Sequence, residues 1–434
     1  MAKSEYRRRR KEFMRMVGTG NIALIASAPV SKRNNDVDYP YRQDSDFVYL
    51  TGFEEPKALA VFVPGRRPAE YILFCREFDA TMALWTGQHA GIDGAKEIYE
   101  ADDAFPIDDV DEILPGLMEN KARVFYPMGR NRELDQQVLD WVKQLRERVR
   151  SGISAPMEFV AIENLLHEMR LYKSGAELKL MRKAASVSAK AHIRAMRAVR
   201  AGLYEHQIEA ELLHEFTRNG MRFPAYPSIV AGGRNACVLH YTQNQDKLRE
   251  GDLLLIDAGV ENQNYASDIT RTFPVSGRFS EAQRLLYQLV LDAQLAAIAK
   301  VRPGNHWNDP HDVAIKVLTR GFVDLGLLKG RVSNLIKNEA YKKFYMHRTG
   351  HWLGMDVHDV GNYKVEGQWR LLEPGMVLTV EPGLYVSPDC ADVEKKWCGI
   401  GIRIEDDVLV TRDGCEVLTS EGPKTIREIE DLMA

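Results

Sequence analysis

Short apolar runs alternate with helical stretches along roughly the first third of the chain. Ile22 to Ala26, Ala58 to Val63 and Tyr71 to Cys75 read as buried strands, while Leu134 to Val149 repeats its apolar positions at helical spacing. Such alternation predicts an α/β domain. Between Ser151 and Pro156 the pattern lapses into small and turn-forming residues. Ser174-Gly175-Ala176-Glu177 then has the form of a capping box and opens a long helix that runs to about Val199. The expected domains are residues 1–168 and 169–434.

The second domain reads as internally duplicated. A helix ending at Val199-Arg200-Ala201-Gly202 is followed by another that Gly220 stops near Arg218. Later, a helix opened by Ser280-Glu281-Ala282-Gln283 ends at Val301-Arg302-Pro303-Gly304, and a second runs to about Leu325. Each pair precedes a strand of the same grammar: Gly251, an apolar run, Asp257 and Gly259 in one half, and Gly375, an apolar run, Glu381 and Gly383 in the other. One such match is common in any α/β protein. A match in helices, strand and acid position together points to two related halves.

Chemistry gathers around those acids. Leu253 to Ala258 and Ala266 to Phe273 are β-type runs separated by the polar Glu261-Asn262-Gln263-Asn264, and together they predict a hairpin. A turn centred between Asn262 and Gln263 sets Asp257 directly opposite Asp268, where two carboxylates repel unless protonated or bridged by cations. An ion pair with Arg271, or a register one residue off, are the alternatives. In the other half Glu381 ends the strand Met376 to Val380, and Gly401-Ile402-Arg403-Ile404-Glu405 puts Arg403 and Glu405 on one face and the isoleucines on the other.

His347, His351 and His358 cluster in a glycine-broken segment that is not the metalloprotease helix motif, because no Glu follows His347. His89, His167, His192, His206, His214, His306 and His311 read as structural or surface residues. Four carboxylates and one imidazole form a hard, oxygen-rich set that suits Mn²⁺ and tolerates Co²⁺ or Zn²⁺. Two divalent ions nearly balance that charge, and paired ions lower the pKa of a bound water toward roughly 7.

Composition narrows the partners. With 58 basic and 62 acidic residues the chain has no charge excess that would drive nucleic-acid or anionic-membrane binding, so the expected partner is a small molecule or peptide. No apolar run approaches the roughly 18 residues of a membrane span. Five scattered cysteines without a C-x-x-C pair fit a reducing, cytoplasmic setting. The basic run Arg7 to Lys11 is flanked by Glu5 and Glu12, and Gly18-Thr19-Gly20-Asn21 interrupts the apolar stretch that a signal peptide requires. A helix and the buried strand from Ile22 are expected there instead.

At these residues the chain resembles aminopeptidase P (Xaa-Pro aminopeptidase), in the pita-bread metallopeptidase family, over nearly its whole length. Tyr39-Pro40-Tyr41-Arg42-Gln43-Asp44-Ser45-Asp46-Phe47 and Thr51-Gly52-Phe53 are similar to the family's N-terminal domain, and His167-Glu168-Met169-Arg170 to its interdomain segment. Leu239-His240-Tyr241, Ile256-Asp257-Ala258-Gly259, Asp268-Ile269-Thr270-Arg271, His351-Trp352-Leu353-Gly354, Thr379-Val380-Glu381-Pro382-Gly383 and Arg403-Ile404-Glu405 resemble its catalytic motifs in order.

The resemblance implies an α/β (α+β) protein with a creatinase-like N-terminal domain and a pseudo-symmetric pita-bread catalytic domain. It implies two divalent ions: Asp257 on one, Asp268 and Glu405 bridging both, His351 and Glu381 completing the second. His240, His347, His358 and Tyr385 are implied in the substrate cleft, Arg403 behind the ligands, and Asp36 and Trp85 at the active site of a neighbouring subunit in a dimer or tetramer. Without the resemblance, Trp85 reads as a core residue.

The implied reaction is attack of an activated water on the carbonyl before proline, with Glu381 handling its proton and His240 and His358 hydrogen-bonding the developing charge. Prolidase, which cuts Xaa-Pro dipeptides, shares the ligand set; it needs a cation to capture the proline carboxylate, for which Arg348 and Arg370 are candidates. Arg348 departs from the smaller residue expected there and calls for an acidic partner or solvent. A non-catalytic pita-bread binding module or a metal-free creatinase-like enzyme is the reading of another class, and the complete ligand set argues against both.

Overall fold

The computed structural model describes residues 1–434, which divide into two compact units, Met1–Met169 and Arg170–Ala434. In the first, the helix Lys3–Val17 leads into the strand Ile22–Ala26. That strand is central in a six-stranded mixed sheet ordered Asp103–Pro106, Tyr71–Cys75, Leu59–Phe62, Ile22–Ala26, Arg123–Tyr126, Glu158–Ala161. Part of the basic run turns inward. Arg10 is buried, donates to Leu50 O at 3.1 Å and lies 4.7 Å over the Tyr71 ring.

The helix Arg132–Glu147 forms where its apolar spacing places it. Asn131 caps it by accepting from the Glu133 and Leu134 amides, and Leu134, Val138, Trp141, Val142 and Leu145 fall on one face. They join Ile22, Val61 and Val124 in one core, each fully buried large side chain contributing about 1.5–3 kcal/mol.

The second unit carries the expected duplication. Ser174 Oγ accepts from the Glu177 amide while the Glu177 carboxylate accepts from the Ser174 amide, and the helix Gly175–Ala198 follows, then Glu205–Arg218. Ser280 and Gln283 repeat the device for Glu281–Ile298, followed by Asp309–Asp324. After the first pair come the antiparallel strands Ile229–Gly232, Leu253–Asp257 and Thr270–Pro274; after the second come Val377–Val380, Asp406–Val410 and Cys415–Val417. Leu254 and Ile256 point into the core beneath the helices, which leaves Leu255 and Asp257 on the opposite face.

The hairpin register differs from the expected one. Its turn sits on Gln263 and Asn264, with φ of 50° and 66°, and Asp257 pairs with Thr270 rather than with Asp268. The reason is turn chemistry: a tight two-residue turn takes two residues in the left-handed region, which Asn tolerates well. Moving the turn by one residue shifts the pairing by two and so preserves the face. Asp268 remains on the side of Asp257, as a diagonal neighbour. Gly259 permits the close approach, since a Cβ there would stand 1.7 Å from Ser267 O. Arg271 turns away and pairs with Asp406 at 2.8 Å.

Two short strands, Gly401–Arg403 and Asp406–Val410, are broken at Ile404 and Glu405. Ile402 and Ile404 enter the core, and Arg403 and Glu405 face the other way. The two halves are stitched here: the Glu405 amide donates to Thr270 O at 3.1 Å, and Thr272 Oγ1 donates to Arg403 O at 3.0 Å.

Candidate metal centre

Asp257, Asp268, His351, Glu381 and Glu405 all line one cavity of about 960 Å³ in the second unit. Strand ends deliver the acids. His351 arrives by a different route: residues 349–353 run antiparallel to the strand Val377–Val380, with the Thr379 amide donating to His351 O at 2.9 Å and the Glu381 amide to Thr349 O at 2.8 Å. Gly350 is required for that pairing, because a Cβ there would lie 2.0 Å from Thr379 O. Glycine at this position therefore does more than break a helix; it lets His351 sit beside Glu381.

Side-chain atoms of Asp268, His351 and Glu405 lie within 4.8 Å of one another. His351 Nε2 is 3.4 Å from Asp268 Oδ2 and 3.8 Å from Glu381 Oε1, while its Nδ1–H donates to Trp352 O at 3.0 Å. That bond fixes the tautomer that leaves Nε2 free to ligate. Tyr226 joins the two aspartates, its hydroxyl 2.7 Å from Asp257 Oδ1 and 2.5 Å from Asp268 Oδ1. Thr270 Oγ1 donates to Glu405 Oε2 at 2.7 Å.

Arg403 is a buried hub. It reaches Asp257 Oδ2 at 2.6 Å, Thr270 Oγ1 at 3.1 Å and the Tyr385 hydroxyl at 3.0 Å. Tyr385 in turn donates to His347 Nε2 at 2.9 Å. The structure thus places Tyr385 behind the cavity wall, holding Arg403 and His347, and not on the cavity surface. His240, His347 and His358 do line the cavity, with the His358 ring 4.3 Å from that of His351. None of the seven remaining histidines lines it.

The carboxylates cannot all ionise as they stand. Burial, followed by the charges of Asp268, Glu381 and Asp257, pushes Glu405 well above the usual carboxylate range. Burial also raises Glu381, to about 7, and Asp257, with the neighbouring acids adding to the shift. Asp268 goes the other way: burial opposes ionisation, but hydrogen bonds and charge from His351 overcome it. The same contact lifts His351 to about 9 against its own burial. Burial lowers His347 to about 4 and, with the charge of His351, lowers His358.

The residues present fit divalent cations. One phenolic proton at Tyr226 cannot satisfy two ionised carboxylates, and against the four acids stand a single ion-paired arginine, Arg403, and the imidazoles of His351 and His347. Divalent cations would compensate that charge with oxygen-rich ligands of the right hardness.

Sequence reading missed Tyr226 and Thr270, and also Asp407, which accepts from the Asp268 amide at 3.1 Å. It missed the aromatic wall of Trp307, Tyr363 and Trp369 too. Tyr226, between Ala225 and Pro227 in a loop, carries no local signal of its role. Thr270 is one residue position that the correct hairpin register would have exposed, since it faces Asp257. Arg370 is buried, donating to Asn362 O at 2.7 Å, and does not line the cavity; Arg348 does. Asp36 and Trp85 lie in the first unit, both exposed, so Trp85 is not a core residue of the chain.

A deep cavity on which carboxylates and a histidine able to hold a metal ion converge from both halves of the unit has the form of a metallohydrolase site, and comparison with known proteins gives the family. Residues 179–412 match the model of metallopeptidase family M24, and residues 6–126 match the aminopeptidase P N-terminal domain. The chain belongs to metallopeptidase family M24, in its aminopeptidase P group. It is 44% identical over 433 residues to the Xaa-Pro aminopeptidase of Haemophilus influenzae, covering 100% of this chain and 98% of the relative. The structure of Pseudomonas aeruginosa aminopeptidase PepP is 58% identical with a TM-score of 0.99, covering 100% of this chain and 98% of that one. A zinc-substituted Escherichia coli aminopeptidase P in complex with product is 43% identical with a TM-score of 0.97, covering 100% and 98%.

Proposed function

We propose that the chain is a metal-dependent aminopeptidase that removes the N-terminal residue from peptides whose second residue is proline. The observation that carries this reading is the convergence of Asp257, Asp268, His351, Glu381 and Glu405 on one cavity in a chain matched over its full length by Xaa-Pro aminopeptidases. These five side chains would hold two divalent ions, Mn²⁺ by the hardness of the donor set, with Asp268 and Glu405 shared between them. When bound, the ions supply a nucleophilic water at neutral pH and polarise the scissile carbonyl.

The chain's own residues do the rest. Glu381, which lines the cavity beside His351, takes the proton of the attacking water. His358 and His240, both exposed to the cavity, donate to the oxygen on which charge develops. His347, held by Tyr385, borders the substrate, and Arg403 orients Asp257. The substrate's free amine lies toward Asp257.

The five unpaired cysteines support a cytoplasmic location. The exposed Trp85 and Leu84, at 81% and 86% of their full accessibility, support a homo-oligomer in which Trp85 and Asp36 border a neighbouring subunit's site.

Purified protein loaded with Mn²⁺ and offered Xaa-Pro-Yaa tripeptides and Xaa-Pro dipeptides tests the reading. Release of the first residue from tripeptides is expected. Cleavage of dipeptides alone would replace the reading with a prolidase, and no cleavage of either would overturn it.

A further inference from the structure

One wall of the cavity carries charge of the opposite sign to its floor. Lys364 and Trp369 are direct cross-strand partners in a two-stranded hairpin, Lys364–Val365 with Gln368–Trp369. The Lys364 ammonium lies 4.5 Å from the centre of the Trp369 ring, and the Arg348 guanidinium lies 5.1 Å from the same ring. Both cations and the ring line the cavity that contains the metal ligands. The contacts of the two cations are with Asn308 and the Trp369 ring, and neither is ion-paired with a carboxylate of the chain.

Arg348 is nonetheless oriented. Its Nη2 donates to Asn308 Oδ1, and Asn308 is held by its own amide nitrogen, which donates to Asp312 Oδ1 at 2.7 Å. Trp369 offers each cation a π face, an attraction that holds the two heads near one another without neutralising either. Two like charges sharing one aromatic platform, with open donors and no counter-ion, form a receptor for an anion; guanidinium and ammonium donors suit a carboxylate in particular.

A peptide is itself dipolar, with an ammonium at its start. If the amine lies toward Asp257 on the acidic floor, the chain beyond the scissile bond is the part free to reach a cationic wall. We propose that Arg348 and Lys364, gathered on Trp369, bind a carboxylate carried by the substrate beyond its proline, and so favour short peptides with a free C-terminus or peptides with an acidic residue there. The proposal rests on the aminopeptidase reading and names the substrate class of that same site.

Three tripeptides that differ only at the far end test it in the Mn²⁺-loaded enzyme: Xaa-Pro-Ala as the free acid, Xaa-Pro-Ala amide, and Xaa-Pro-Glu amide. The free acid, the glutamyl amide or both should exceed the alanyl amide in kcat/KM by roughly five- to tenfold, mostly through KM, and which one does so identifies the carboxylate recognised. The preference should shrink as ionic strength rises. In the double variant Arg348→Gln with Lys364→Gln, whose side chains are exposed and not needed for packing, the ratio should fall toward one. Equal rates on all three peptides in the wild type, or an undiminished ratio in the variant, would overturn the proposal while leaving the aminopeptidase reading intact. Cleavage of none of the three would overturn both.

Discussion

Arg403 Nη2 lies 2.6 Å from Asp257 Oδ2, so one buried arginine and one partly buried acid lock the edge of the candidate metal centre to the strand of the opposite half. The same guanidinium reaches Thr270 and Tyr385, a geometry that a single ammonium cannot reproduce. Arg403→Lys should therefore keep the fold and lower affinity for the metal at Asp257 by about 10- to 100-fold, with a parallel loss of kcat. Metal titration of the purified variant checks this. Wild-type affinity would show that Arg403 does not orient the ligand.

Asp268→Ala removes the acid placed between Tyr226 and His351. Its metal content should fall and turnover should vanish, while circular dichroism stays that of the wild type. Turnover at the wild-type level would refute a shared-ligand role for Asp268.

His358 has no part in the proposed ligand set. His358→Ala should bind metal normally and lose about 10²- to 10³-fold in kcat, the usual worth of a donor to developing charge. Metal analysis beside steady-state kinetics separates the two roles, and loss of metal would move His358 among the ligands.

His192 gives a pH dependence. Burial lowers it from 6.5 to about 4; its Nε2–H donates to Ala258 O at 3.0 Å, and its buried Nδ1 has no partner to receive a proton's charge. Between about pH 6.5 and 4 the unfolded chain binds a proton that the folded one rejects, so stability is full above this window and is lost as pH falls through it. The contribution is on the order of 3 kcal/mol. Chelated His192→Gln should show a flatter dependence of melting temperature on pH across that window than chelated wild type; an identical slope would remove His192 from the account.

Trp85, 81% exposed, should tolerate truncation in the chain itself. Trp85→Ala is expected to hold its metal and its melting temperature within about 2 °C, because surface changes are usually within about 0.5 kcal/mol. The ratio of tripeptide to longer-peptide cleavage should change. A large fall in melting temperature with that ratio unchanged would make it a packing residue.

The parts of the fold that local rules govern were legible in the sequence. Ser174 with Glu177, and Ser280 with Gln283, marked two helix starts because a capping box is a contact between neighbours in the chain. Asp257 and Asp268 were visible as a convergent pair, yet their register was misread, because the turn was placed one residue early and Asn264 was not recognised as its second left-handed residue. Tyr226 and Thr270 could not be read at all. Their roles arise from contacts across loops and between halves, at sequence separations that leave no periodic trace.

The proposed ligand set is divided across the stitched strands, with Asp257 and Asp268 on one side and His351, Glu381 and Glu405 on the other. Bound cations would therefore act as fasteners as well as reagents. Stripped of them, the acids that face one another must take up protons or repel, which weakens the seam along the line where the Glu405 amide meets Thr270 O. Chelated protein should exchange that amide hydrogen sooner than loaded protein, so an opening of the molecule would begin at its most chemically important point rather than at its surface.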